Sequence, residues 1–292
     1  MGKLIRYISK DGMISVMAID SGDIVAKAKE IHNTSHVCTA ALGRLLTASA
    51  IMASTLKGDD DSITLKINGG GETGTVTAVA HSNGHVKGDI ANPSVKLPLR
   101  NDGHLNVGAA VGKNGFLTVI EDLGLEKPYV GQVPIYSGEI ADDVTYYYAQ
   151  SEQIPTVCGL GVLVTPDTGD VIVSGGFMIQ LLPNATEEII ETVENDIKNI
   201  EPVTKMLADG LSPEQICKKI LPSTEFTEIG RSFPIYKCDC SREKVENALI
   251  TLGKKELLKM AFDKETEVTC HFCGKKYHFS SDEIRKLAEN LS

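Results

Sequence analysis

Nowhere in the 292-residue chain do about 18 apolar residues run together, so no membrane span is expected. No secretory leader is expected either, because Lys10 and Asp11 arrive before any long apolar run develops. Arg6 stands where an N-myristoylation motif wants Ser or Thr. Basic excess is missing: 29 Lys+Arg face 39 Asp+Glu, a net charge of −10. That balance disfavours a general nucleic-acid role, since phosphate backbones are bound by basic surface. The acidity is uneven, with 18 basic against 29 acidic residues in 1–235 and 11 against 10 in 236–292. Tryptophan is absent and aromatics amount to 5%, in an otherwise ordinary globular composition. An even cysteine count is lacking as well, and seven cysteines argue against a disulfide framework. These absences together predict a cytoplasmic protein whose thiols stay reduced.

What is present is a pair of close cysteine pairs. Cys238 and Cys240 form C-x-C, 29 residues intervene, and Cys270 and Cys273 form C-x-x-C. Four thiolates at one point suit tetrahedral Zn²⁺, whose structural sites favour sulfur. Gly274 follows the second pair directly, where a sharp bend often needs positive φ. The spacing predicts one zinc ion per reduced chain, held by Cys238, Cys240, Cys270 and Cys273, with His271 and His278 not required. Cys38, Cys158 and Cys217 have no such pairing in sequence; the first two read as small buried hydrophobes.

The pattern along the chain predicts an α+β fold with mostly antiparallel sheet. An N-terminal hairpin over 4–8 and 13–19 precedes helices over 24–31 and 37–57, the second with Leu42, Leu45, Leu46, Met52, Ala53 and Leu56 on one face. Strands are expected over 63–67, 75–80, 86–90, 107–111, 116–120, 157–164 and 171–179, and a helix over 138–150 with Ser137 as its cap. Gly69, Gly71 and Gly74 match G-x-G-x-x-G, but a strand pattern follows in place of a helix, so the motif reads as a glycine-rich hairpin turn. His32 and His36 flank an Asn-Thr-Ser helix start and are assigned capping and surface roles. No catalytic set emerges, and the chain does not read as an enzyme.

From Pro183 the texture changes. Ile189, Ile190, Val193, Ile197 and Ile200 form an apolar helical stripe, followed by shorter amphipathic pieces broken by Pro202, Pro213 and Pro222. Such helices need a surface to pack on, and the stripe is a candidate client-binding surface if it lets go. The expected division is an α+β core over 1–182, an amphipathic helical linker over 183–234 and a small zinc-binding unit over 235–292. The last holds helices over 242–252 and 254–262 and a capping box of Ser280 and Glu283 that starts a final helix. A unit this small draws much of its folding free energy from metal.

The stretches ALGRLLTASAIM, GFLTVIEDLG, PYVGQVPIYSGEIADDV with YYYAQSEQIPT, GGFMIQLLP and the C-x-C…C-x-x-C tail resemble the bacterial family of redox-regulated heat-shock chaperones of about 33 kilodaltons, almost end to end. All four family ligand positions are present as Cys238, Cys240, Cys270 and Cys273. The resemblance implies a reduced, zinc-bound, monomeric protein that is a poor chaperone. It implies that oxidation forms disulfides, expels zinc, unfolds tail and linker, and yields a dimeric holdase for unfolding client proteins. The expected bridges link neighbours, Cys238 to Cys240 and Cys270 to Cys273, because zinc already holds each pair near and short loops close quickly. Two rival readings stand beside it: a zinc-ribbon nucleic-acid binder, and a thiol-disulfide oxidoreductase using Cys270 and Cys273.

Overall fold

The computed structural model describes residues 2–291, which divide into two compact units, one ending at Lys237 and one starting at Cys238. In the first unit, β1 (Lys3–Ser9) and β2 (Ile14–Asp20) form the expected antiparallel hairpin. Ser9 shapes its turn by accepting hydrogen bonds from the Met13 and Ile14 N–H groups. Helix α1 (Gly22–His32) ends at Asn33 in the left-handed conformation, and Ser35 caps α2 (His36–Ala53), its hydroxyl accepting from the Cys38 N–H. The Asn-Thr-Ser boundary is therefore as read. His32, however, is nearly buried instead of on the surface, because α1 packs on the sheet and places the ring beside Tyr236 and Asp89.

Helix α2 is apolar on almost every side, and the one-faced stripe expected of it understates its role. By length and composition it could cross a bilayer, but here it is the central core helix, packed against both large sheets. The second sheet contains β3 (Ser62–Gly70), β4 (Val76–His81), β5 (His85–Ile90), β6 (Gly112–Asp122) and β7 (Tyr129–Pro134). The glycine motif does sit at the β3–β4 turn, with Gly69 and Gly71 lying against the backbone of residues 110–112, too close for any Cβ.

Three segments differ from expectation. Residues 107–111 are a short helix, α3 (Val107–Val111), not a strand: the Asn106 side chain accepts from the Ala109 N–H, and Gly112 at φ +82° ends the turn. The helix expected from 138 starts later, as α4 (Ala141–Tyr147), and Ser137 is not its cap. The buried Asp143 carboxylate takes that role, accepting from the N–H groups of Tyr136, Ser137, Gly138 and Ile140 at 2.8, 3.0, 3.3 and 2.8 Å. Strand β7 went unforeseen because Gly131 and Pro134 interrupt its pattern, which an edge strand tolerates.

The first sheet is completed by β8 (Thr156–Val164) and β9 (Val171–Leu181). The chain then forms α5 (Glu187–Ile197), α6 (Val203–Ala208), α7 (Pro213–Ile220), β10 (Phe226–Ser232) and β11 (Ile235–Tyr236). The segment 183–234 is thus helical with a terminal strand, and β10 joins the first sheet in the order β10-β1-β2-β9-β8, antiparallel throughout. The second sheet runs β11-β5-β4-β3-β6-β7, with only the β11–β5 pair parallel.

Alternation along β1, β2 and β9 gives the first sheet two apolar faces. Leu4, Met17, Ile19 and Met178 join the core around α2. Ile5, Tyr7, Ile14, Val16, Ala18, Phe177 and Ile179 form the opposite face, roofed by Val193 of α5, Val203, Met206 and Leu207 of α6 and Ile216 and Ile220 of α7. Ile189 and Ile197 pack at the edge of that cluster, and Ile190 is half-buried. The amphipathic segment therefore covers the apolar sheet face turned away from α2.

Candidate metal centre

The second unit is built from α8 (Arg242–Ile250), α9 (Lys254–Met260), a hairpin of β12 (Glu265–Thr269) and β13 (Lys276–Ser280), and α10 (Ser281–Glu289). The expected capping box is present, with Ser280 and Glu283 hydrogen-bonded reciprocally at the start of α10. Sequence reading missed the hairpin, whose five-residue strands are short and highly charged. Seven buried residues form the core, among them Leu249, Leu257, Tyr277, Phe279 and Ile284. Arg242 ties the pieces together. Its guanidinium donates to Glu246, to the His278 carbonyl at 3.0 Å and to Glu283 at 2.7 Å, and lies 4.2 Å above the Phe279 ring.

The two cysteine pairs enter from different directions. Cys238 and Cys240 lie on the extended segment leading into α8, whose N-cap is Ser241. Cys270 and Cys273 occupy the turn between β12 and β13. There the Cys270 N–H donates to the Lys275 carbonyl at 2.9 Å, the Gly274 N–H to the Cys270 carbonyl at 2.8 Å, and Gly274 adopts φ +70°, as anticipated. A C-x-x-C in a hairpin turn lacks the βαβ setting of a thioredoxin-type redox motif.

All four sulfurs lie within 4.8 Å of one another. The Cys238–Cys270 separation is 3.7 Å and the Cys240–Cys273 separation 3.4 Å. A tetrahedron with Zn–S bonds of about 2.3 Å has edges of about 3.8 Å, so the donor set fits a closed S₄ site. Its polar surroundings fit as well. The Cys240 N–H donates to Cys238, the Lys275 N–H to Cys273, and the Tyr277 hydroxyl to Cys240 at 3.1 Å. Such donors stabilise thiolate sulfur.

The sulfurs pair across the site, Cys238 with Cys270 and Cys240 with Cys273. Burial pushes Cys238 and Cys273 up. Burial also acts to raise Cys240, but hydrogen bonds from Tyr277 and the neighbouring cysteines outweigh it and bring Cys240 down to about 7. A divalent cation bound by Cys238, Cys240, Cys270 and Cys273 would take the place of their protons. His271 is exposed, and the His278 Nδ1 faces Glu265 at 3.3 Å, so neither joins the sulfur group. Cys38 and Cys217 are fully buried in the first unit, and burial raises Cys217 to about 12 and Cys158 to about 12. Tyr277 and Arg242 escaped the sequence reading; only the alternation in Lys276-Tyr277-His278-Phe279, right after the last cysteine, hinted that Tyr277 points inward.

Fold and site define an α+β protein that carries, in a separate unit, four cysteines grouped closely enough to hold a metal ion. A family model described as Hsp33 protein matches residues 2–280. The 33 kDa chaperonin of Clostridium perfringens is 49% identical over 289 residues, covering 98% of this chain and 91% of that protein. The Clostridium acetobutylicum 33 kDa chaperonin is 45% identical over 291 residues, covering 99% and 98%. The crystal structure of the 33 kDa chaperonin (heat shock protein 33 homolog) of Thermotoga maritima superposes with a TM-score of 0.88 at 36% identity, covering 99% of this chain and 98% of that one. The chain belongs to the Hsp33 family of heat-shock chaperones.

Proposed function

We propose that this protein is a redox-regulated holdase, inactive when reduced and zinc-bound, that captures unfolding proteins under oxidative and heat stress. The observation that carries the reading is the convergence of four free cysteine sulfurs within 4.8 Å in a unit with a small core of its own. Zinc, when bound, holds the thiols as thiolates and cross-links a unit too small to be stable on apolar burial alone. Oxidation of Cys238 with Cys240 and of Cys270 with Cys273 removes the ligands, and the tail loses its fold. The linker helices, short and marginal by themselves, then leave the sheet.

What becomes exposed is the stripe of Ile189, Ile190, Val193 and Ile197 together with the sheet face of Ile5, Val16 and Phe177. Each aliphatic side chain released represents about 1.5–3 kcal/mol of apolar burial, so a few exposed together suffice to hold a client. In this reading the reduced chain is a cytoplasmic monomer, the oxidised one a dimer, and neither an enzyme nor a nucleic-acid binder. Peroxide-treated protein is expected to suppress aggregation of a thermally unfolding client at near-stoichiometric ratio, and reduced protein to do so weakly. Equal protection by both forms would remove the redox switch from the proposal.

Peptide mapping tests the switch itself. The bridges Cys238–Cys240 and Cys270–Cys273 are expected because each pair remains adjacent along the chain even as the tail unfolds, whereas cross-pairs depend on the fold. Cys38, Cys158 and Cys217 are expected to stay reduced, since all three thiols are held protonated and Cys38 and Cys217 are also buried out of reach. A dominant bridge between Cys217 and a tail cysteine would place the redox centre elsewhere.

A further inference from the structure

Among the four sulfurs, Cys240 alone is held by a side-chain hydroxyl. The Tyr277 O–H donates to its Sγ at 3.1 Å. Three features fix that phenol in place. Tyr277 pairs with Val268 across the β12–β13 ladder, and its ring is 7% exposed within the tail core. Lys275 lies over the ring, with Nζ 5.1 Å from its centroid. We propose that Tyr277 is a positioning residue that restrains Cys240, lowering the rate at which this sulfur reacts with peroxide and so setting the oxidant level at which the site opens.

The chemistry follows from where the lone pairs are. To react, the Cys240 thiolate directs a sulfur lone pair at one peroxide oxygen. An S–O bond forms and the O–O bond breaks; sulfur is oxidised by two electrons, and the departing oxygen leaves as hydroxide, which is protonated to water. A neighbouring thiolate then attacks the sulfenic sulfur and expels its hydroxide, closing the disulfide. An O–H donor on that sulfur draws off the electron density the first step needs, and the bond must weaken as sulfur loses its negative charge. Hydrogen bonds to charged acceptors are the stronger class, so the Tyr277 hydroxyl gives Cys240 a side-chain restraint of its own, beside the backbone N–H bonds that Cys238 and Cys273 accept.

This proposal rests on the redox-switch reading of the site, but its test uses no client, so its failure leaves the chaperone reading standing. In the zinc-loaded, reduced full chain, sulfenic acid at each cysteine is trapped with dimedone during a peroxide pulse and quantified by mass spectrometry. Tyr277→Phe keeps the packed ring and is expected to raise the Cys240 rate about three- to tenfold, the share of a charge-assisted hydrogen bond given up in the transition state. The rates at Cys238, Cys270 and Cys273 should change by less than about twofold. Replacing Tyr277 with 3-fluorotyrosine, nearly isosteric and a stronger donor, should slow Cys240. That second variant keeps the idea testable if the phenylalanine variant loses its fold. An unchanged Cys240 rate in a folded Phe variant, uniform acceleration of all four sulfurs, or faster reaction with fluorotyrosine would each overturn the proposal.

Discussion

An Ile216→Asp variant is expected to protect a client from aggregation while still fully reduced and zinc-loaded. Ile216 is completely buried in α7, within the cluster that joins the linker helices to β1, β2 and β9. A carboxylate placed there loses its hydration, at a cost of several kcal/mol. It also forfeits the roughly 1.5–3 kcal/mol that burial of the isoleucine contributed. The relief available is undocking, because α5, α6 and α7 have only 11, 6 and 8 residues and little stability of their own. The sheet itself survives, since Leu4, Met17, Ile19 and Met178 remain anchored on its other face against α2. Hydrogen exchange should therefore show the helices of residues 187–220 losing protection while the strands and helices of 1–182 keep theirs. If the linker opens and the client still aggregates, the surface beneath it is not where clients bind.

That design could be made only from the structure. The amphipathic stripe was legible, because Ile189, Val193 and Ile197 recur at helical spacing among glutamates. Its partner was not. Strands β1, β2 and β9 are apolar on both sides, and sequence alone shows a buried run without saying that one face belongs to α2 and the other to the linker. The same limit explains α3: Val-Gly-Ala-Ala-Val satisfies a strand pattern, and only the Asn106 cap and the close approach of Gly69 and Gly71 favour a turn of helix. Asp143 displaced Ser137 as cap because a carboxylate can saturate four backbone N–H groups where a hydroxyl serves one or two. The cysteine cluster was legible because metal geometry constrains spacing directly. Tyr277 and Arg242 were not, since their roles depend on a hairpin and a helix contact that no local pattern encodes.

Cys273→Ser is expected to strip the metal and unfold the tail, whereas His278→Ala should leave both intact. Cys273 supplies one of four sulfurs at tetrahedral spacing, its Sγ 3.4 Å from that of Cys240. A serine hydroxyl is a poor zinc donor, because it does not ionise at neutral pH and is harder than sulfur. The loss of affinity should exceed the roughly 10- to 100-fold typical of changes outside the ligand shell. Metal binding is folding free energy for a unit of this size, and the tail core has few members to replace it. His278 projects from the other side of the hairpin toward Glu265 and Glu267, with half of its side chain exposed. Removing it costs a surface ion pair worth about 0–1 kcal/mol. Zinc per chain, measured by chelator competition, and hydrogen exchange across residues 238–291 read out the two variants. Comparable zinc loss from His278→Ala and Cys273→Ser would overturn the all-sulfur assignment, and a tail that stays protected in the metal-free serine variant would show that the unit folds without its metal, removing the step that couples oxidation to release.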